Sequence, residues 1–396
     1  MACSKFILGN LPELTSNIIQ YLWDDIPTLL SCILVNRLWC NTTISLLWKD
    51  PFSMKHPKNF HFIEIYLQKL NEKDKTQLNE HGINNNLLNT LFNYSNFIKC
   101  LNTQNICFTI VNWIKTNKLF TCSTGVIFLL LIKVFIENGV KLHTFEIEIA
   151  YTFHNVNNEY FNSVFELILQ NPKFISNIKN LKLHFNEKIL NYNFLKCFYS
   201  KCNLISSLHF KFSEYESFNN DCMAIENQLL QIINSQKNLK KFFLAYNNPI
   251  YNVHNYNTLF MHDEENELST KLLLNLAHIL PCRLEYLNLE LVINNTINDL
   301  KVFLRNSKHI FIKILLFRIN ILINDILPCI KEYIMKEKRA EYLAIEGYYN
   351  NNYLYNYKKD LFTMTDELKE FESYNIKVKK YNCLYIRAYE LIDEMY

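Results

Sequence analysis

The first part of the chain carries hydrophobic residues at the spacing of an α-helix. Leu14, Ile18 and Leu22 recur every four residues, which predicts one apolar stripe on an amphipathic helix. Pro27 disfavours helix at the residue before it, and Thr28 stands where it can cap a second helix. The pattern therefore predicts two short helices separated by a break.

A third helix is predicted from about Arg37 to Trp48, and Pro51 ends it. Three short helices in roughly 40 residues cannot bury all of their apolar surface among themselves. This surface must either face another protein or pack on the remainder of the chain. The hydrophobic pattern alone leaves both alternatives open.

From residue 141 onward a different pattern appears, apolar-x-x-apolar-x-apolar, whose alternation is the period of a β-strand. Most gaps between its copies hold an amphipathic helical stretch. One strand plus one helix cannot close a core alone, so stacked units predict a solenoid. Seven copies occur, with centres 27 to 45 residues apart, at Phe145, Leu181, Leu208, Phe242, Leu287, Leu315 and Leu343.

Together these patterns predict an α/β fold in three parts. An N-terminal three-helix module occupies residues 1–52, and a helical linker or cap occupies residues 53–140. Residues 141–396 form a solenoid of short parallel strands alternating with helices. Two alternatives remain open for this last part, a mixed α/β region without regular stacking and an all-helical superhelix.

Three polar segments are predicted as loops, at residues 71–86, 247–267 and 348–357. The last of these is rich in Tyr and Asn. The tail from residue 363 is predicted as a helix, a strand around Ile376–Val378 and a final helix.

Composition and charge narrow the class of protein. The chain is 49% hydrophobic and 20% charged with a net charge of +3, which is typical of a globular protein. Its basic clusters are short and favour solvated faces over a nucleic-acid interface. The longest apolar run, Val126–Ile136, is interrupted by Lys133 and is too short to span a bilayer. Twelve scattered cysteines without C-x-x-C indicate a reducing compartment, so we expect an intracellular protein that binds neither nucleic acid nor membrane.

The sequence lacks the motifs of common catalytic sites. Its five glycines are far apart, which excludes a phosphate-binding loop and a dinucleotide fingerprint. No pair of Cys or His has the spacing of zinc ligands, and no G-x-S-x-G occurs. We therefore expect no cofactor, no metal and no enzymatic activity.

The N-terminal helices carry four short motifs in order. These are LPEL at residues 11–14, II at 18–19, VNRLW at 35–39 and LW at 47–48. The segment resembles an F-box, with one residue missing between Pro12 and Glu13 and with Ile19 where Phe is common. Isoleucine keeps the apolar volume.

The F-box resemblance implies a substrate-receptor subunit that binds the Skp adaptor of a cullin–RING ubiquitin ligase. Such a subunit performs no bond chemistry and instead holds a target protein near the ligase. The expected contact is helix against groove with apolar anchors. The residues expected to face the adaptor or to form the core of the module are Leu11, Pro12, Leu14, Ile18, Ile19, Leu22, Leu29, Leu30, Leu34 and Trp39.

The strand repeats resemble an irregular leucine-rich-repeat array, which often follows an F-box. Asn186, Asn247 and Asn320 stand three residues after the third apolar position, as in that repeat. The target protein is then expected to contact outward-pointing strand residues, namely Glu146, Glu148, Lys182, His184, His209, Lys211, Asn288, Glu290, Arg318 and Glu346.

A second function stays open, a protein-interaction scaffold outside ubiquitin ligases. In that case the N-terminal helices would cap the repeat array. Exposure of their apolar side chains distinguishes the two functions, because a cap buries them and a docking module leaves them uncovered.

Overall fold

The chain folds as an α/β protein in which helices alternate with a mostly parallel sheet, as predicted. It divides into two compact units, residues 1–145 with 149–177 and residues 146–148 with 178–396. The predicted division at residues 52 and 140 stays a prediction. The structure, a computed structural model, describes residues 12–23, 25–54, 59–80, 83, 90–119, 122–148, 158–185, 192–212, 222–246, 265–291, 297–351 and 355–386.

The first unit is mainly helical, and the three predicted N-terminal helices are present. Helices α1 and α2 pack on α3. Leu11 lies outside the described residues. The elements are α1 (Pro12–Tyr21), α2 (Ile26–Cys32), α3 (Arg37–Leu47), α4 (Phe62–Leu67), α5 (Glu72–Glu80), β1 (Cys100–Asn102), α6 (Thr103–Thr116), α7 (Thr124–Glu137), β2 (Thr144–Ile147), whose last two residues belong to the second unit, and α8 (Asn158–Gln170).

The cap of α2 differs from the prediction. Asp25, and not Thr28, is the N-cap, and its Oδ1 accepts the backbone N–H of Thr28 at 3.1 Å. Hydrogen bonds from the side chain and backbone of Thr28 lower the pKa of Asp25. A carboxylate is favoured there because the first turn of a helix presents unpaired N–H groups.

The loop predicted at residues 71–86 is wrong for its first half, which forms α5. This helix is polar, and its apolar anchor is Leu78, which is fully buried. Asn71 accepts the backbone N–H of Asp74 at 3.0 Å, and Lys133 pairs with Asp74 at 2.5 Å. Polar contacts of this kind stabilise a helix that a hydrophobic pattern cannot reveal.

The second unit alternates strands and helices along most of its length. Neighbouring helices among α9 to α13 pack on one another. The elements are β3 (Asn180–Phe185), α9 (Tyr192–Lys201), β4 (Ser207–Phe212), α10 (Cys222–Ser235), β5 (Lys241–Tyr246), α11 (Glu265–Ile279), β6 (Tyr286–Leu291), α12 (Ile297–Asn306), β7 (Ile312–Ile319), α13 (Ile323–Ile330), β8 (Ala340–Asn351), β9 (Tyr355–Asp360), α14 (Thr365–Ser373), β10 (Lys377–Val378) and α15 (Tyr381–Leu384).

Strands β3 to β8 pair in chain order, and every pair is parallel. Six of the seven predicted repeat centres lie side by side and are buried, which confirms these strand repeats and excludes an all-helical superhelix. Asn186 and Asn247 lie outside the described residues. The aligned row consists of Leu181, Leu208, Phe242, Leu287, Leu315 and Leu343.

The Tyr-rich segment predicted as a loop at 348–357 instead contributes to a hairpin. Strand β8 continues to Asn351, and β9 returns antiparallel with Tyr357 opposite Tyr349. Aromatic residues favour strands when a partner strand is available. The tail follows the prediction, with helix α14, strand β10 and helix α15 in that order.

Candidate protein-interaction surfaces

The helices α1 and α2 expose an unusual number of apolar side chains. Leu14 is 47% exposed and Leu34, just after α2, is 86% exposed. Residues four apart share one face of a helix, so Leu14 and Ile18 lie together on α1, and Ile26 and Leu30 on α2. We call these residues the N-terminal apolar set: Leu14, Ile18, Tyr21, Trp23, Ile26, Leu30, Leu34 and Val35.

The structure divides the residues predicted to dock the adaptor into two groups. Ile19 and Leu29 are fully buried and form part of the module core. Leu22 and Trp39 are half-buried. The exposed residues, which another protein can reach, are Pro12, Leu14, Ile18, Leu30 and Leu34.

Four members of the set are absent from the predicted docking residues, namely Tyr21, Trp23, Ile26 and Val35, although Val35 belongs to the VNRLW motif. Tyr21 lies three residues after Ile18, so helical spacing could have revealed it. Trp23 and Ile26 flank the break between two helices, where a periodic pattern gives no signal.

The residues predicted to bind a target belong to the second unit, where all but Glu148, which directly follows β2, lie on strands, and all are buried or half-buried. They contact one another in two groups. The first polar cluster comprises Glu146, Glu148, Lys182, His184, His209 and Lys211. The second polar cluster comprises Asn288, Glu290, Arg318 and Glu346.

In the first polar cluster, the ionic groups pair across neighbouring segments. The Lys182 ammonium lies 3.4 Å from a carboxylate oxygen of Glu146 and 3.9 Å from one of Glu148. The His184 Nδ1 lies 3.1 Å from the other carboxylate oxygen of Glu148. Burial alone would raise the pKa of Glu148, but the hydrogen bond with His184 and the charges of Lys182, His184 and Lys211 lower it to about 2.

The imidazole of His209 contacts an aromatic ring. Its ring stacks on Phe243 of the next strand, with centroids 5.1 Å apart. Burial, followed by the charges of Lys182 and Lys211, lowers the pKa of His209 to about 3. His209 is therefore a neutral side chain at physiological pH.

In the second polar cluster, one arginine joins two carboxylates. The Arg318 guanidinium lies 3.3 Å from Glu290 and 2.7 Å from Glu346, its neighbours on the adjacent strands. Lys358 of β9 lies 2.7 Å from the second oxygen of Glu346. Burial would lower the pKa of Arg318, but Tyr381 and both carboxylates hold it above its ordinary value.

The chain's own tail covers this second cluster. Tyr381 is fully buried, and its hydroxyl lies 2.8 Å from Asn288 Oδ1 and 3.0 Å from Glu290 Oε1. The Arg318 guanidinium lies 4.2 Å from the centre of the Tyr381 ring, in cation–π geometry. Sequence reasoning identified the strand residues but missed the tyrosine that contacts them.

Two kinds of site are absent from the described part of the chain. No three His, Cys, Asp or Glu side chains there are placed to hold a metal ion. None of the described helices combines the length and apolar character needed to cross a membrane.

No protein-family model matches the chain, and no curated protein matches it. The two surfaces therefore have to be interpreted from their own chemistry.

Proposed function

We propose that this protein is a non-catalytic substrate-receptor subunit of a Skp–cullin–F-box ubiquitin ligase. Its N-terminal helices dock the Skp adaptor, and its strand region, an irregular leucine-rich-repeat-like solenoid, recruits a target protein. The proposal includes a cullin–RING ligase as the indirect partner and an intracellular site of action.

The observation that supports adaptor docking is the N-terminal apolar set. Apolar side chains in water cost free energy in proportion to their exposed area, roughly 25 cal/mol per Å². Exposed apolar residues concentrated on two adjacent short helices are typical of a surface that another protein covers. Helices that only capped a repeat array would bury these side chains.

The buried core of the three-helix module also supports adaptor docking. Ile19 and Leu29 are buried where α1 and α2 pack on α3, so the three helices already hold a core without the exposed residues. Apolar anchors displayed on a preformed helical scaffold bind a groove with little ordering cost.

Calorimetric titration of the full chain with a purified Skp adaptor tests the proposal. The test variant is Leu14→Asp combined with Leu30→Asp, which places charges within the apolar set. The matched control is Phe108→Asp, because Phe108 is 59% exposed on α6, outside the set.

We expect the wild type and Phe108→Asp to bind equally. We expect the double variant to bind about 100-fold more weakly, because two apolar anchors become buried charges. Equal binding by all three proteins would overturn the docking proposal. Absence of binding by the wild type would favour the scaffold function instead.

A further inference from the structure

Hydrogen bonds at several positions join the tail segment 379–386 to the rest of the second unit. Lys379 N–H donates to Leu343 O at 3.0 Å, and Tyr381 N–H donates to Asp360 Oδ2 at 3.0 Å. The Tyr286 hydroxyl lies 3.3 Å from both Leu384 O and Ile386 N. The strands beneath pair with one another in parallel, at five registered positions between β5 and β6 and at six between β6 and β7.

Only one residue of this segment is fully buried. Tyr381 packs on an apolar floor formed by Phe243, Tyr286, Leu316 and Ala344, with Leu384, Tyr385 and Ile386 against the same cluster. The intervening Asn382 and Cys383 are exposed and border a cavity of about 420 Å³ that β9 also lines. The segment thus resembles a short peptide bound through one aromatic anchor.

The charged groups under the tail also pair with one another through contacts that do not involve it. Arg318 pairs with Glu290 and Glu346, which lie on the adjacent strands and not in the tail. Removal of the tyrosine would uncover an apolar floor bordered by paired polar groups, which is the usual anatomy of a protein-binding site. Asn288 Oδ1 and Glu290 Oε1 would then offer two acceptors for a hydroxyl.

We infer that the strand face over β5 to β8 is a peptide-binding surface now occupied by the chain's own segment 379–386. Its partner is a segment of another protein that carries a tyrosine followed, three to five residues later, by apolar residues. That partner binds in place of the tail. The inference rests on the target-binding half of the proposed function and does not involve the adaptor.

A labelled peptide with the sequence of residues 376–386, with serine in place of Cys383, tests the inference by fluorescence anisotropy on full-length proteins. Tyr381→Ala removes the anchor from the tail, and Tyr381→Phe removes only its hydroxyl. Asn382→Ala is the matched control, because Asn382 is exposed and adjacent to the anchor.

We expect Tyr381→Ala to bind the peptide at least tenfold more tightly than wild type, with Tyr381→Phe in between and Asn382→Ala like wild type. A peptide with Phe in place of its tyrosine should bind Tyr381→Ala more weakly. A folded Tyr381→Ala protein that does not bind the peptide would overturn the inference. A Tyr381→Ala protein that has lost its folded circular dichroism spectrum would also overturn it, because the tail would then be part of the fold.

No adaptor is present in this measurement. Failure of peptide binding therefore leaves adaptor docking standing. Failure of adaptor docking equally leaves the peptide result unchanged.

Discussion

The N-terminal helices and the strand face differ in how far the residues predicted to bind partners are exposed. Leu14, Leu30 and Leu34 are left uncovered, whereas Asn288 and Glu346 on the strand face are buried and engaged by other residues of the same chain. An exposed apolar side chain is available to another protein, which is why the docking proposal rests on these residues. A buried polar group that is hydrogen-bonded or ion-paired within the chain does not by itself indicate a binding site for a target protein.

Truncation of leucine should have very different effects in the two regions, and this is the largest contrast we expect. Leu287→Ala removes a fully buried side chain from the aligned strand row and should lower the free energy of unfolding by about 2–5 kcal/mol. Leu14→Ala should change it by less than about 0.5 kcal/mol. Urea unfolding of both variants measures the difference, and equal losses would contradict the assignment of Leu14 to an open surface.

Loss of the buried carboxylate of Glu346 should have the next largest effect on stability. Glu346→Ala leaves Arg318 with Glu290 as its carboxylate partner and removes the ion pair of Lys358 with Glu346. We expect a loss of about 2–3 kcal/mol, less than for a fully buried pair because the Lys358 side chain is half exposed. Lys358→Ala is the matched control and should cost under about 1 kcal/mol. A silent Glu346→Ala would mean that the cluster does not stabilise the strands.

Acidification should weaken the strand region before it affects the N-terminal helices. An unfolded imidazole gains its proton near pH 6.5, whereas folded His209 gains it only near pH 3. The unfolded state therefore binds more protons between these values, and stability should fall as the pH drops, by up to about 1.4 kcal/mol per pH unit.

Glu148 adds a second loss at lower pH. Its pKa is about 2 in the folded state and near 4.5 otherwise, so its stabilising effect disappears as the pH falls between those values. The interval from pH 6.5 to 4.5 thus isolates the histidine. Urea midpoints of wild type and His209→Gln measured across this interval should diverge, with the smaller slope for the variant. Parallel slopes would refute the role of His209.

Removal of the cap of α3 should give the smallest of these effects. Asn36 accepts the backbone N–H of Trp39 at 3.0 Å, and Asn36→Ala should lower stability by about 1 kcal/mol. Because α1 and α2 pack on α3, hydrogen exchange in residues 12–35 should become faster in this variant. Faster exchange confined to the second unit would be inconsistent with this packing.

The backbone of the strand region could be predicted because its signal is local. Each copy alternates apolar and other residues, and equal spacing from Leu287 to Leu315 to Leu343 already indicates equivalent positions. Helix α5 and the β8–β9 hairpin could not be predicted. Helix α5 depends on the contact of Asp74 with Lys133, which is distant in sequence. The hairpin depends on pairing between β8 and β9 within a polar segment.

The residues of the two surfaces could be predicted better than their roles. Helical spacing identified Leu14 and Ile18, but only the packing of three helices shows that Ile19 faces inward. Strand alternation identified Glu290 and Arg318. It could not identify Tyr381, because this residue lies in the tail and contacts them from outside the strands. Pairing between distant segments decides which polar residues remain available.

Hydrogen–deuterium exchange of the full chain with and without a purified Skp adaptor tests the central claim most directly. The account predicts slower exchange in residues 12–35 when the adaptor is present, with unchanged exchange in residues 286–319. Unchanged exchange in residues 12–35, or protection confined to residues 286–319, would contradict it.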